Sequence, residues 1–328
     1  MTDQLGRNLA LELVRVTEAA ALTAGRWMGR GDKEAADQAA VDAMRLVLDT
    51  ISMQGTVVIG EGAKDEAPML YVGERVGRAD EPMVDIAVDP IDGTRLLALG
   101  MPNSIATVAV AERGALFESS HLMYMEKIAV GPEAAGMIDL GDTIANNLQR
   151  VARAKRREVP DLTVVILDRP RHANLMAEIR EAGARIKLIP DGDVAGAIMT
   201  ALPDTGVDML LGIGGAPEAV VAACALKCMG GDIQCRLWPR NDEERQLVMT
   251  HALDITQILT GSDLVAGDDA FFAATGITDG DFLKGVHYFG GGATTQSIVM
   301  RSRSGTVRRI DAVHRLTKLD QYERAALA

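Results

Sequence analysis

Val84-Asp85-Ile86-Ala87-Val88-Asp89-Pro90-Ile91-Asp92-Gly93-Thr94 is the stretch on which the reading of this chain turns. Met83 to Val88 alternates apolar residues with small or acidic ones, the period of a β-strand. Pro90 has no N–H to give to a sheet ladder, so the strand is expected to end before it. Asp89 and Asp92 then share the turn, and Gly93 lets the backbone approach a ligand closely. Thr94-Arg95-Leu96-Leu97 can open a helix, whose first N–H groups attract an anion. Two carboxylates beside such amides suggest a divalent cation shared between protein and phosphate. Magnesium and manganese are held in this way, by few protein ligands with substrate oxygens completing the shell. The bland alternative is an Asp-rich turn that hydrogen-bonds its own backbone. The complete strand–turn–helix string favours the cation.

Composition narrows the class. At 328 residues the chain has room for two moderate domains. A formal charge of −12 and a pI near 5.0 argue against nucleic acid or an anionic membrane as partner. They leave a phosphorylated substrate open, because a bound cation reverses the local potential. The sequence shows neither a leader pattern nor an apolar run of about 18 residues, so a cytoplasmic location is the expectation. Cys224, Cys228 and Cys235 match no zinc spacing and read as buried thiols.

Working outward, Leu5 to Met28 and Lys33 to Ile51 carry helical periodicity, and Asp37 lies on the second helix among small residues. By itself Asp37 reads as a solvated carboxylate. Thr56 to Ile59 is a short strand ending at Gly60-Glu61-Gly62, followed by the acidic pair Asp65-Glu66. Ser104–Val110 and Ala115–Phe117 read as two strands of a hairpin, and Met123–Val130 as another strand. A domain boundary is expected at residues 157/158, giving a mostly antiparallel domain over 1–157 and an α/β domain over 158–328. In the second half, strands at Leu162–Leu167, Arg185–Ile189 and Val207–Gly212 alternate with helices, which argues for mainly parallel pairing. The loops after these strands hold Arg169-Pro170-Arg171, Asp191-Gly192-Asp193 and Gly212 to Glu218. In parallel sheets ligands collect beyond the strand carboxyl ends, so these loops share one topological position. Arg169 and Arg171 offer forked donors for phosphate, with an exposed basic turn as the alternative. One of Asp191 and Asp193 is expected to cap the next helix. Strands at Phe271–Gly276, Val286–Phe289, Thr295–Arg301 and Val307–His314 complete the chain.

Asp89-Pro90-Ile91-Asp92-Gly93-Thr94 resembles the signature of the lithium-sensitive, metal-dependent sugar phosphatases. Gly29 to Lys33, Val58 to Gly62 with Asp65 to Tyr71, Met123 to Lys127, Arg169 to His172, Pro190 to Asp193 and Gly212 to Glu218 narrow the resemblance to class II fructose-1,6-bisphosphatases. It runs from about Leu9 to about His314. It implies a layered α-β-α-β-α fold, of mixed α+β and α/β character, and hydrolysis of the 1-phosphate of fructose 1,6-bisphosphate with Mn2+ or Mg2+. By resemblance Asp37, Glu61, Asp89, Asp92, the Ile91 carbonyl and Glu218 are metal ligands, and Asp65 and Thr94 are catalytic. Relatives carry Glu where this chain has Ala63. The substrate contacts implied are Asp92, Gly93, Thr94, Tyr124, Arg169, Pro170, Arg171, Asp191, Gly192, Asp193, Gly215 and Glu218. A homodimer or homotetramer is implied as well. Sedoheptulose 1,7-bisphosphate as a second substrate, or a sugar-phosphate-binding regulator without turnover, are the alternatives.

Overall fold

Apolar residues at helical spacing account for the first two elements of the computed structural model, which describes residues 5, 6, 8–61, 69–118 and 124–318. Helix α1 (Leu9–Ala24) buries Leu13, Val16 and Ala20, and α2 (Lys33–Leu48) buries Ala36, Ala40, Met44 and Leu48. Between them Gly29 and Gly31 take positive φ of 72° and 76°, a conformation other side chains rarely adopt. Asp32 caps α2 by accepting from the Ala35 N–H at 3.0 Å.

Strand β1 (Gln54–Ile59) pairs antiparallel with the short β2 (Arg75–Val76) and parallel with β3 (Met83–Asp92). Strand β3 is longer than the sequence implies, because it continues through Pro90. Its pairing with β1 ends at Ala87. Its ladder with β4 (Ile105–Glu112) shifts register between Asp89 and Asp92. Pro90 therefore lies in a bulge, where no partner asks for its missing N–H. Between the two strands, Gly93 at φ 87° leads into α3 (Thr94–Leu99).

Past Gly114 the chain leaves this sheet. The strand expected at Ala115–Phe117 is reduced to one bridge, Leu116 to Val265, so no hairpin follows β4. In chain order come β5 (Tyr124–Val130), α4 (Ile144–Lys155), β6 (Thr163–Leu167), α5 (Ala173–Glu181), β7 (Arg185–Ile189), α6 (Asp193–Met199), β8 (Met209–Gly215), α7 (Ala216–Met229), β9 (Asp232–Leu237), α8 (Asp242–Thr250), β10 (Leu259–Thr260) and α9 (Gly261–Leu264). The six strands lie in the order β10-β9-β5-β8-β6-β7. Strand β6 is parallel to β7 and β8, as the strand–helix alternation requires. Strands β5, β9 and β10 are antiparallel, so the sheet is mixed rather than mainly parallel. The antiparallel partner β9 was not read in the sequence.

The chain then returns to the first sheet with β11 (Ala270–Gly276), β12 (His287–Phe289), β13 (Gly292–Arg301) and β14 (Thr306–Arg315). That sheet has the order β12-β13-β11-β4-β3-β1-β2, with β14 beside β13. Contacts divide the chain into one unit of 1–113, 271–301 and 306–328 and another of 114–270 and 302–305. The division thus falls at 113/114 rather than 157/158, because β5 pairs with β8 and β9 instead of β4. Each unit has one sheet with helices packed on it, an α+β arrangement.

In the second unit, strand alternation sorts the two faces. Ile128, Val164, Ile166 and Leu211 join Leu148, Val151 and Ile179 of α4 and α5 in one core. Val165 faces α6, where a Cβ on Gly196 would meet its Cγ1 at 3.4 Å. Lys127, one residue out of phase with Ile128, falls on this second face.

Candidate active site

In the first unit the glycine turn before α2 governs Asp37. Gly29 N–H donates to Leu97 O at 2.9 Å and Gly31 N–H to Ala98 O at 3.0 Å, so α2 starts against α3. Thr94, the first residue of α3, then reaches Asp37. Its hydroxyl oxygen lies 3.2 Å from Asp37 Oδ1 and 3.1 Å from Ile91 O, and can donate its one proton to either. Burial raises the Asp37 pKa to about 6, against the lowering pull of the Thr94 hydrogen bond and Lys33. Asp89 and Asp92 flank the β3 bulge; Asp92 is buried and Asp89 half-buried. Glu61 is exposed, its N–H donating to Leu70 O at 3.0 Å. Ile59 is opposite Ala87 in the parallel ladder, so Glu61 and Asp89 each lie just past the last paired position of adjacent strands. Asp65 and Ala63 lie outside the described residues.

The second unit centres on Lys127, which is 2% exposed and donates to Asp193 Oδ2 at 2.7 Å. Burial alone would push this ammonium down; Asp193 and Glu218 outweigh it and hold its pKa above the ordinary value. Burial raises the pKa of Glu218, and its Oε2 is buried without a hydrogen-bond partner among the described residues. The glycines of the β8–α7 junction make room for these carboxylates. A Cβ on Gly214 would come within 2.0 Å of Asp193 Oδ2, and one on Gly215 within 1.7 Å of Glu218 Oε2. Neither aspartate caps α6: the N-cap is Gly192, with no side-chain cap bond. Asp193 is instead drawn to Lys127, and Asp191 Oδ1 accepts from Arg169 Nη2 at 3.0 Å. Arg169 also donates to Pro190 O at 2.5 Å, tying the loops after β6 and β7 together. Arg171 donates through Nη2 and Nε to Ile213 O, at 2.7 and 3.2 Å. Its guanidinium carbon stands 5.1 Å from the centroid of the Tyr124 ring.

Residues 7–314 match the family model described as bacterial fructose-1,6-bisphosphatase, glpX-encoded. The chain belongs to that family. It is 47% identical over 327 residues to fructose-1,6-bisphosphatase 1 class 2 of Escherichia coli, covering 96% of this chain and 97% of the relative. The class 2 enzyme of Shigella flexneri gives the same figures, 47% identity and 96% and 97% coverage. Among solved structures, an extragenic suppressor from Pyrococcus furiosus aligns over 59% of this chain and 68% of its own, at 14% identity. Its TM-score of 0.29 is too low to support any inference.

Fructose-1,6-bisphosphatases of this family are metal-dependent. The donors at the carboxyl end of β3 are all oxygens, from carboxylates, the Ile91 carbonyl and the Thr94 hydroxyl, which suits a hard divalent cation. A half-buried carboxylate whose pKa is raised to about 6, as at Asp37, is one that a cation would stabilise. Among the described residues, no three His, Cys, Asp or Glu side chains are grouped closely enough to hold an ion in this structure. The structure brings Asp37, Thr94 and Ile91 together by hydrogen bonds, and it pairs Arg169 with Asp191.

Two polar residues, Lys127 and His172, stand in motifs that carry the resemblance yet were given no role of their own in the sequence reading. Lys127 left a usable signal, a lone ammonium in the apolar run Ile128-Ala129-Val130 at the phase opposite the core. His172 accepts from Ile213 N–H through Nε2 at 2.8 Å, so its Nδ1 donates to Leu167 O at 2.7 Å. This neutral, buried ring joins the ends of β6 and β8, and burial lowers its pKa. The three cysteines are buried and free, as expected, with burial pushing Cys224 and Cys235 up to about 12.

Proposed function

We propose that this chain hydrolyses the 1-phosphate of fructose 1,6-bisphosphate, with Mg2+ or Mn2+, to fructose 6-phosphate and inorganic phosphate. The match of residues 7–314 to the family, at 47% identity to its Escherichia coli member, carries the reading. On this reading the chain serves gluconeogenesis in the cytoplasm, as a homodimer or homotetramer. Uncatalysed phosphate monoester hydrolysis is so slow that electrostatics and positioning must supply about 20 kcal/mol or more.

The residues divide that task. Asp37, Glu61, Asp89, Asp92 and the Ile91 carbonyl are the groups that would hold the cations, with Glu218 serving a cation or the sugar. A bound divalent cation neutralises phosphoryl charge and lowers the pKa of water. The Thr94 hydroxyl, set between Asp37 and Ile91, orients the attacking water, and Asp65 removes its proton. The backbone of Asp92, Gly93 and Thr94 receives the reacting phosphate. Arg169, Pro170 and Arg171 hold the other phosphate, Asp191, Gly192 and Asp193 read sugar hydroxyls, and Tyr124 and Gly215 line the sugar.

Phosphate release from fructose 1,6-bisphosphate, sedoheptulose 1,7-bisphosphate and inositol 1-phosphate, measured side by side with Mg2+ or Mn2+, tests this. Preference for the first is expected, with a loss of at least about a hundredfold in Asp92→Ala. Equal use of both bisphosphates would extend the substrate class to seven-carbon sugars. Preference for inositol 1-phosphate would overturn the roles of Arg169 and Arg171. No release from any of them would leave a sugar-phosphate-binding regulator.

A further inference from the structure

Tyr124 opens β5 with a second guanidinium against its ring. Arg240 lies between β9 and α8, and its guanidinium carbon is 4.9 Å from the Tyr124 centroid, against 5.1 Å for Arg171. Two like charges so placed are at most about 10 Å apart and repel, while a stacking contact at an exposed site returns little. An anion near the ring relieves that repulsion.

The structure also fixes how Arg240 presents its donors. Its Nε donates to Glu244 Oε1 at 2.7 Å, and Nη2 is paired with the same oxygen at 2.5 Å. The Arg240 backbone N–H donates to Glu244 Oε2 at 2.7 Å, and Asn241 caps α8, so this carboxylate is anchored at a helix start. A clamped Nε/Nη2 edge sets the plane of the fork and turns Nη1 away from Glu244, a pre-organised donor that costs little entropy on binding. Arg171 is likewise clamped, through Nε and Nη2, to the Ile213 carbonyl. Both guanidiniums are thus fastened by one edge and stacked on one ring. Helix capping by Arg240 alone would require neither Tyr124 nor a neighbouring cation.

We propose that Arg240 is a substrate-binding residue that, with Arg171 across Tyr124, holds the phosphate that is not hydrolysed. The inference rests on the reading that Arg169 and Arg171 grip a sugar phosphate, and it makes Arg240 a determinant of bisphosphate over monophosphate specificity.

The test compares the native enzyme with Arg240→Gln, which can still hydrogen-bond Glu244. Rates are measured on fructose 1,6-bisphosphate and on fructose 1-phosphate, which has the reacting group but lacks the distal one. The ratio of their kcat/KM values is expected to fall about tenfold, mostly through KM for the bisphosphate. Calorimetric titration with fructose 6-phosphate, which carries only the distal group, should show Kd rising by a similar factor. An unchanged ratio with unchanged fructose 6-phosphate binding would overturn the proposal, whether or not total activity falls. If native enzyme releases no phosphate from the bisphosphate, the proposed reaction fails, and the fructose 6-phosphate titration still decides the role of Arg240.

Discussion

Lys127 is a cation with almost no water around it, so its stabilising partners are the carboxylates of Asp193 and Glu218. Removing one member of such a buried pair strands the other, which costs about 3–5 kcal/mol, whereas replacing both with apolar residues is often neutral. Lys127→Met should therefore lower stability in urea by that amount, and Lys127→Met with Asp193→Leu should recover most of it. A single variant as stable as the native chain would mean that water reaches Nζ and the pair is not closed. Gly214→Ala should act in the same direction, because its Cβ would meet Asp193 Oδ2 at 2.0 Å. The sequence made Asp191-Gly192-Asp193 and the glycine run legible as a candidate site. It hid their partners, since Lys127 and Asp193 are 66 residues apart and meet only across the fold. Thr94 was legible as a candidate, yet its hydrogen bonds to Asp37 and Ile91 depend on α3 docking against the Gly29–Gly31 turn.

Elements in the first unit carry a partly buried carboxyl group that the proposed chemistry does not use. Glu18 on α1 accepts from the Thr295 hydroxyl of β13 at 3.3 Å, and His314 Nε2 of β14 lies 3.8 Å away. Burial raises the Glu18 pKa from 4.5 to about 7, opposed by Thr295 and Arg15. The folded state therefore keeps a proton that the unfolded chain releases between pH 4.5 and about 7. The contribution of Glu18 to stability is full below that window and falls as pH rises through it. At about 1.4 kcal/mol per pKa unit, the fall approaches ~3 kcal/mol. His314, whose pKa burial lowers, runs the other way, so the difference from Glu18→Gln isolates the carboxyl. Glu18→Gln should match the native chain near pH 4.5 and exceed it above pH 7 in urea denaturation. A constant offset at all pH values would show that Glu18 stays ionised in the fold. Amphipathic spacing was enough to place α1, because ten of its residues are buried along one stripe. Strand β3 overran its expected end because a proline rule read from sequence assumes a continuous ladder, and the bulge removes that condition.

At the scale of the molecule, the sequence misplaced the division because neither composition nor turn chemistry marks the departure of the chain after β4. What decides it is pairing at long range, β5 with β8 and β9, and β4 with β11. The two units then differ in how they can fold. Residues 114–270 contain every strand of the six-stranded sheet, and α7, buried nearly all round, packs on β5, β8, β9, α6 and α9 of the same stretch. Residues 1–113 contain β1 to β4, yet β4 is an interior strand whose next neighbour, β11, comes after 157 residues of the other unit. Cut at 113, that fragment would expose the apolar, unpaired edge of β4 and lose Phe271 and Val299 from its core. The 114–270 fragment keeps its sheet whole and gives up, from its own unit, the Ser302 hydroxyl, which donates to Asp268 O and accepts from Ala270 N–H, and the Arg303–Asp269 pair. Expressed alone, 114–270 should melt cooperatively, while 1–113 should bind a hydrophobic dye and show no cooperative transition. Joining 1–113 to 271–318 through a short flexible linker should restore cooperativity to the first unit, since β11, β13 and β14 are then supplied. If the 1–113 fragment melted cooperatively without them, the core of that unit would have to lie in α1, α2 and β1 to β4 alone, and β11 would be an addition rather than the strand that completes it.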